Sequence, residues 1–267
     1  MPNQTAPLDD ARIRRALVGT CFADVRYLSE TGSTNADAQA LLGERGAGGA
    51  TLVAEFQTAG IGRKGRPWIA PPGTALLFTS LLPEPLKSER LWAVPFWAAL
   101  GVARALERSA DLRLDLVWPN DLFADSRKVG GILSVARIIG DAAWVGCGVG
   151  INIRRPSNDP ELAAIQPPPA FVSDAAPTVE RETVLAEILR TFDATLADLD
   201  DPTLVARNWE TRAALAGTHY RYRHDADGIE RDGIAVRLGA RGTLVVRDAA
   251  GEHAIDMADV RIIGRDA

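Results

Sequence analysis

The stretch Gly60-Ile61-Gly62-Arg63-Lys64-Gly65-Arg66-Pro67-Trp68 constrains the fold more than any other part of the chain. The spacing of Gly60, Gly62 and Gly65 is that of a dinucleotide-binding turn, but such a turn must open a helix whose N-terminus receives the pyrophosphate. Pro67, Pro71 and Pro72 follow at once, so no helix opens there. A phosphate loop ending in Gly-Lys-Ser/Thr fails too, because Gly65 is followed by Arg66 and Pro67. Both nucleotide motifs are rejected on context. What remains is a loop over residues 57–72 that carries Arg63, Lys64 and Arg66. Glycines let backbone N–H groups approach an anion, and arginines grip phosphate or carboxylate through a two-pronged fork. A solvated basic turn is the plain alternative.

These cations stand out because the chain is acidic: 30 Lys and Arg against 35 Asp and Glu, a net charge of −5. That balance argues against a protein whose whole surface holds nucleic acid. The chain has 267 residues, 46% of them apolar. At about 150 residues per domain this suits one or two domains, with a core that needs no disulfide or metal. Cys21 and Cys147 lie in no thiolate metal spacing and read as two buried small apolar residues. The first eight residues lack the basic and apolar regions of a signal peptide. The longest apolar stretch, residues 91–103, is shorter than the roughly 18 residues of a membrane span. The expectation is a soluble, cytoplasmic protein.

Hydrophobic periodicity predicts an α+β body. Strands are expected at 25–28, 51–56, 74–82, 114–118, 131–138 and 142–153. Helices are expected at 36–42, behind the capping side chains of Ser33, Thr34 and Asn35, and at 92–108 and 178–199. Asp201-Pro202 starts a further helix to about residue 214. The Pro-rich residues 154–177 read as a surface connection or lid. From Gly217 the pattern changes to short β segments at 219–223, 233–238, 243–247 and 253–257, parted by turns. The expected division is an N-terminal extension over 1–24, a body over 25–215 and a small β-barrel over 216–267.

Three more segments are candidates for chemistry. Val117-Trp118-Pro119-Asn120-Asp121 offers an amide and a carboxylate to a ligand or Mg²⁺, or is a plain turn. Lys128, beside Gly130-Gly131 and an apolar strand, sits at the mouth of a buried sheet, a good place for an electrostatic catalyst; a hairpin turn is the alternative. Gly146, Gly148 and Gly150 strip one face of a strand, so a ligand or another backbone lies close, or the sheet packs tightly there. Asn152 shares that face.

In order and spacing these segments resemble the biotin protein ligases. That family shows a Ser-Thr-Asn segment, a GRGRRGRxW-type loop, KWPND, a KxxGIL-type element and GxGxN. Here the matching stretches are Ser33-Thr34-Asn35, Gly60 to Trp68, Trp118 to Asp121, Lys128 to Leu133 and Gly148 to Asn152. The resemblance covers roughly residues 25 to 265. It implies a mixed-sheet catalytic domain of the biotin/lipoate ligase type followed by an SH3-like barrel.

The resemblance implies a two-step ligase. Biotin and ATP·Mg²⁺ give biotinyl-5′-adenylate and pyrophosphate, and then a lysine of a biotin carboxyl carrier domain displaces AMP. Lys128 and Arg63 are implied as the catalytic charges. Ser33, Thr34, Asn35, Gln57, Gly60, Ile61, Gly62, Arg63, Lys128 and Gly131 would line the biotin pocket. Arg63, Arg66, Trp68, Asn120, Lys128 and Asn152 would meet ATP, and Asp121 would contact Mg²⁺. Two positions depart from the family pattern: Ile61 and Val117 stand where it carries basic residues. Ser33 lies too near the N-terminus for a preceding DNA-binding domain, so the expectation is a ligase that binds neither DNA nor membrane, with pairing of two copies left open. The rival readings are a lipoate or octanoate ligase, a non-catalytic biotin-binding relative, and a nucleic-acid binder using the basic loop.

Overall fold

The computed structural model describes residues 7–156, 162, 165 and 168–266. Eight strands form one mixed sheet: β1 Val25–Leu28, β2 Thr51–Ala54, β3 Ala75–Leu81, β4 Leu86–Lys87, β5 Asp115–Val117, β6 Asp121–Ala124, β7 Arg127–Ile139 and β8 Ala142–Asn152. Their order is β1-β2-β3-β8-β7-β6-β5, with β4 added on β8. The β1–β2 pair is parallel and the others are antiparallel.

Side chains alternate across a strand, so the central strands feed two cores. Val53, Phe78, Cys147 and Ile132 enter the main one, against helices α3 (Val94–Ala110) and α4 (Arg181–Thr195). Leu52 and Leu81 enter a smaller one with Ala38 and Leu42, under helix α2 (Thr34–Leu41). Helix α3 is buried on nearly every side, which explains its long apolar run. Its Gly101 lets α4 approach: a Cβ there would lie 2.7 Å from the Phe192 ring. Among the described residues no helix is long and apolar enough to cross a membrane.

Helix α5 (Pro202–Ala213) starts as expected, the Asp201 carboxylate accepting from the N–H groups of Thr203 and Leu204 at 3.0 and 3.1 Å. Five antiparallel strands follow, β9 His219–His224, β10 Glu230–Leu238, β11 Leu244–Asp248, β12 Gly251–Ile255 and β13 Val260–Asp266, in the order β12-β11-β10-β9-β13. This second sheet is compatible with an SH3-like fold and shares the main core. Tyr220, Tyr222 and Leu244 belong to that core. Gly242, at φ +75°, presses its turn so close to Phe96 that a Cβ would lie 2.5 Å away. The Trp118 indole N–H donates to its carbonyl at 3.0 Å. Both barrel tyrosines are thus core residues and form no stacking platform for bases.

Several expectations are corrected. Ser33 occupies the cap position of α2, but its side chain caps nothing, and the helix begins at Thr34. Trp92 lies in a 3-10 turn, Ser88–Ala93, ahead of α3. Helix α4 starts at Arg181 and tightens into a 3-10 turn, Leu196–Asp200. The N-terminal extension holds helix α1 (Asp10–Ala16), and Ile13, Leu17 and Phe22 around it are buried in the main core. Strands β4, β6 and β13 were missed. The reversal before Lys128 falls at Asp125 and Ser126, both at positive φ, which frees Asp121 to begin β6. Cys21 is exposed, while Cys147 is buried; both are free. Residues 157–161, 163, 164, 166 and 167 of the Pro-rich segment lie outside the described residues. Its described end docks through the Ala170 N–H, which donates to the Lys128 carbonyl at 2.9 Å.

Candidate active site

A cavity of about 960 Å³ opens between α2, the sheet, the glycine loop and strands β9 and β13. It gathers Ser33, Thr34, Asn35, Gln57, Ile61, Gly62, Arg63, Arg66, Trp68, Asn120, Asp121, Lys128, Gly131 and Asn152. These come from five separate stretches of chain. Of the residues that the resemblance assigned to biotin, ATP or Mg²⁺, only Gly60 is absent from the lining. It works from behind: a Cβ there would lie 2.8 Å from the Trp68 carbonyl, at the neck of the loop.

The loop is a closed hairpin. Ile61 pairs with Pro67, the Gly62 N–H donates to the Arg66 carbonyl at 2.7 Å, and the Trp68 N–H donates to the Gly60 carbonyl at 2.8 Å. Lys64 and Gly65 turn its tip at φ 57° and 71°. The barrel holds that tip. Arg63 donates to the Met257 carbonyl, and Lys64 pairs with Asp225 and donates to the Ala258 carbonyl. Burial pulls the Arg63 guanidinium below its ordinary range, while the Asp121 charge pulls it back up.

One end of the cavity is neutral. The Gln57 Oε1 accepts from the Thr34 backbone N–H at 2.7 Å and lies 3.0 Å from the Thr34 hydroxyl. This bond replaces the cap expected from Ser33. The Asn35 Nδ2 donates to the Leu133 carbonyl at 3.0 Å. The alternating glycines of β8 are explained here by side chains rather than by a second backbone. A Cβ on Gly148 would lie 2.2 Å from the Asn35 Oδ1, and one on Gly150 would lie 2.9 Å from the Trp68 ring. The Trp68 indole N–H is buried and finds no acceptor among the described residues, so it is available to a ligand oxygen.

The other end is cationic. The Lys128 ammonium lies 2.7 Å from the Asp121 Oδ1 and 5.7 Å from the centre of the Trp68 ring. Asp121 is the one carboxylate on the wall among the described residues, against Arg63, Lys64, Arg66 and Lys128. Arg221, Arg261 and Arg265 of the barrel join them. Sequence reasoning missed these three, because nothing in the alternation of β9 or β13 tells which face meets the cavity. Tyr220 braces the seam. Burial pushes its hydroxyl up to about 12, against bonds with the Trp118 backbone and Arg265. Asn120 and Asn152 have their N–H groups engaged by protein. The Asn120 Nδ2 donates to the Ile132 carbonyl at 2.7 Å, and the Asn152 Nδ2 donates to the Ala170 carbonyl at 3.3 Å. Each leaves its amide oxygen for other contacts.

A neutral pocket with fixed hydrogen-bond directions thus adjoins a half-exposed cationic one. Chemically it suits a ligand with a polar uncharged head and an anionic tail, brought against a second anion.

Residues 32–152 match the model of the Biotin/lipoate A/B protein ligase family. The chain is 32% identical to the biotin–[acetyl-CoA-carboxylase] ligase of Paracoccus denitrificans, over 87% of this chain and 98% of the relative. It is 30% identical to the ligase of the same name from Mycobacterium tuberculosis, over 85% of this chain and 86% of the relative. Among solved structures it resembles the biotin protein ligase from Aquifex aeolicus in complex with biotin and ATP. That match has a TM-score of 0.72 at 23% identity, over 90% of this chain and 98% of that one.

Proposed function

The chain belongs to the biotin/lipoate A/B protein ligase family, and from that membership we infer that it is a biotin protein ligase that activates biotin with ATP and passes it to a lysine of a carboxylase's biotin carrier domain. The observation that carries this reading is the convergence of five chain segments on one cavity whose two ends suit the two parts of the reaction.

In the first step a biotin carboxylate oxygen attacks the α-phosphorus of ATP, and pyrophosphate leaves. Two anions must meet, so fixed positive charge is the main requirement. Lys128, held at the cavity floor by Asp121, and Arg63, anchored to the barrel, are the residues we assign to it. Arg66 and Trp68 are assigned to the nucleotide, together with the free oxygens of Asn120 and Asn152. In the second step the carrier amine attacks the acyl carbon, and AMP leaves. The neutral end takes the ureido ring, which needs both donors and acceptors; Ser33, Thr34, Asn35 and Gln57 supply both. The closed hairpin over residues 60–68 shields the mixed anhydride from water.

Among the described residues no three His, Cys, Asp or Glu side chains gather into a metal cage. Mg²⁺ commonly takes only one or two carboxylates beside substrate phosphates, and the single carboxylate Asp121 fits that pattern as its holder. When bound, the ion neutralises triphosphate charge.

The test is pyrophosphate release from ATP with biotin, lipoate or octanoate in parallel. Release with biotin alone supports the reading. Release with lipoate or octanoate alone moves the chain to the other branch of the family. Biotin binding without release marks a pocket that has lost the chemistry.

A further inference from the structure

Thr79 lies on β3, on the face that meets α2, and is fully buried. Its Oγ1 lies 2.8 Å from the Asn35 Oδ1 and 2.9 Å from the Thr34 Oγ1. It therefore touches two residues of the neutral end without lining the cavity itself.

The Thr34 hydroxyl donates to the Gln57 Oε1 at 3.0 Å, and a second lone pair of that oxygen takes the Thr34 backbone N–H at 2.7 Å. The Asn35 Nδ2 donates to the Leu133 carbonyl, so its Oδ1 is an acceptor. The Thr79 hydroxyl has one proton, shared between the Asn35 Oδ1 and the Thr34 Oγ1. With its own proton on Gln57, the Thr34 hydroxyl has only lone pairs to offer the cavity it lines.

We propose that Thr79 is a positioning residue that holds Thr34, its proton engaged by Gln57, as a hydrogen-bond acceptor and so selects an acid whose head group carries an N–H donor. Resting on the biotin reading above, this deepens it: a ureido ring presents such donors, whereas a dithiolane or an alkyl chain presents none and leaves the remaining Thr34 lone pair unused. Sites that hydrogen-bond a ligand group reject analogues that lack it more strongly than apolar pockets do. Gly148 protects the arrangement from the other side, since β8 pairs it with Thr79 and its missing Cβ leaves room for the Asn35 amide.

The experiment compares wild type with Thr79→Val, Thr79→Cys and Thr79→Ser. It reads KM for biotin and for ATP in pyrophosphate release, biotin Kd by calorimetry without ATP, and melting temperature. Val keeps the shape and removes the hydroxyl, so biotin KM and Kd rise roughly tenfold, as for loss of a buried hydrogen-bonding partner. KM for ATP stays within about twofold of wild type. Cys, a weak donor, falls between, and Ser restores wild-type values. The Ser and Cys pair carries the test should Val fail to fold. An unmoved biotin KM in Thr79→Val overturns the proposal. So does a Ser variant as weak as Val, or a parallel rise in both KM values with a fallen melting temperature. If wild type neither binds biotin nor releases pyrophosphate with it, the biotin reading itself falls and takes this proposal with it. An active wild type with an unmoved Val variant removes Thr79 alone.

Discussion

The two ends of the cavity are built on opposite physical rules. At the neutral end Thr34, Asn35, Gln57 and Thr79 bond to one another and to backbone at 2.7–3.0 Å, and Thr34 and Thr79 are buried. The Thr34 and Asn35 donors are engaged by protein before any ligand arrives. At the cationic end Arg63, Lys64, Arg66 and Lys128 face a single wall carboxylate among the described residues. Lys128 keeps about 39% of its side chain exposed. One end discriminates by unpaired hydrogen bonds, which bulk salt hardly touches; the other attracts by charge, which salt screens. Recognition and chemistry thus occupy neighbouring volumes that respond to different perturbations.

The largest break in that contrast is expected from Lys128→Ala. Adenylate formation, followed by pyrophosphate release, falls by roughly 10²–10³-fold or more, while biotin binding to the neutral end is retained and the melting temperature holds. Full activity in this variant would remove Lys128 from the mechanism. Next comes Gly148→Ala, which drives a Cβ into the Asn35 amide. Biotin KM should rise by roughly ten- to a hundredfold, with KM for ATP nearly unmoved; equal losses for both substrates would mean that the two ends are not separable. A smaller effect is expected from salt. Going from low salt to about 1 M, where the screening length is about 3 Å, should raise KM for ATP several-fold and leave biotin Kd in the absence of ATP almost flat.

The smallest effects concern the loop. Asp225→Asn removes the partner of the Lys64 ammonium on an exposed surface. Such exposed pairs are weak, so release of the adenylate, measured by trapping with chase ligand, should quicken by roughly two- to fivefold. Ile61→Arg adds charge at a position whose side chain is exposed and whose backbone pairs with Pro67. Slower release would assign the position to its side chain, and an unchanged rate to its backbone.

Much of this site was legible in the chain itself, for reasons particular to certain residues. Pro67, Pro71 and Pro72 after the glycines forced a loop whatever else happened. Gly148 and Gly150 announced a stripped strand face, although not that Asn35 and Trp68 fill it. Thr79 gave no signal, being one more β-branched residue in an apolar strand. Its role exists only because β3 pairs it with Gly148 under α2. Helix α1 was only weakly legible because Ile13 and Leu17 are too few to mark a period, and their burial comes from the main core rather than from the helix itself.

The sequence by itself determined the local elements, the glycine loop and the polar residue types that the chemistry needs, because these follow from backbone sterics and side-chain chemistry within a few residues. Only the tertiary structure decided which way each hydrogen bond runs, which barrel arginines face the cavity, and that Met257 and Asp225 hold the loop tip. Those contacts join residues far apart in the chain, and no local periodicity encodes a distance across the fold.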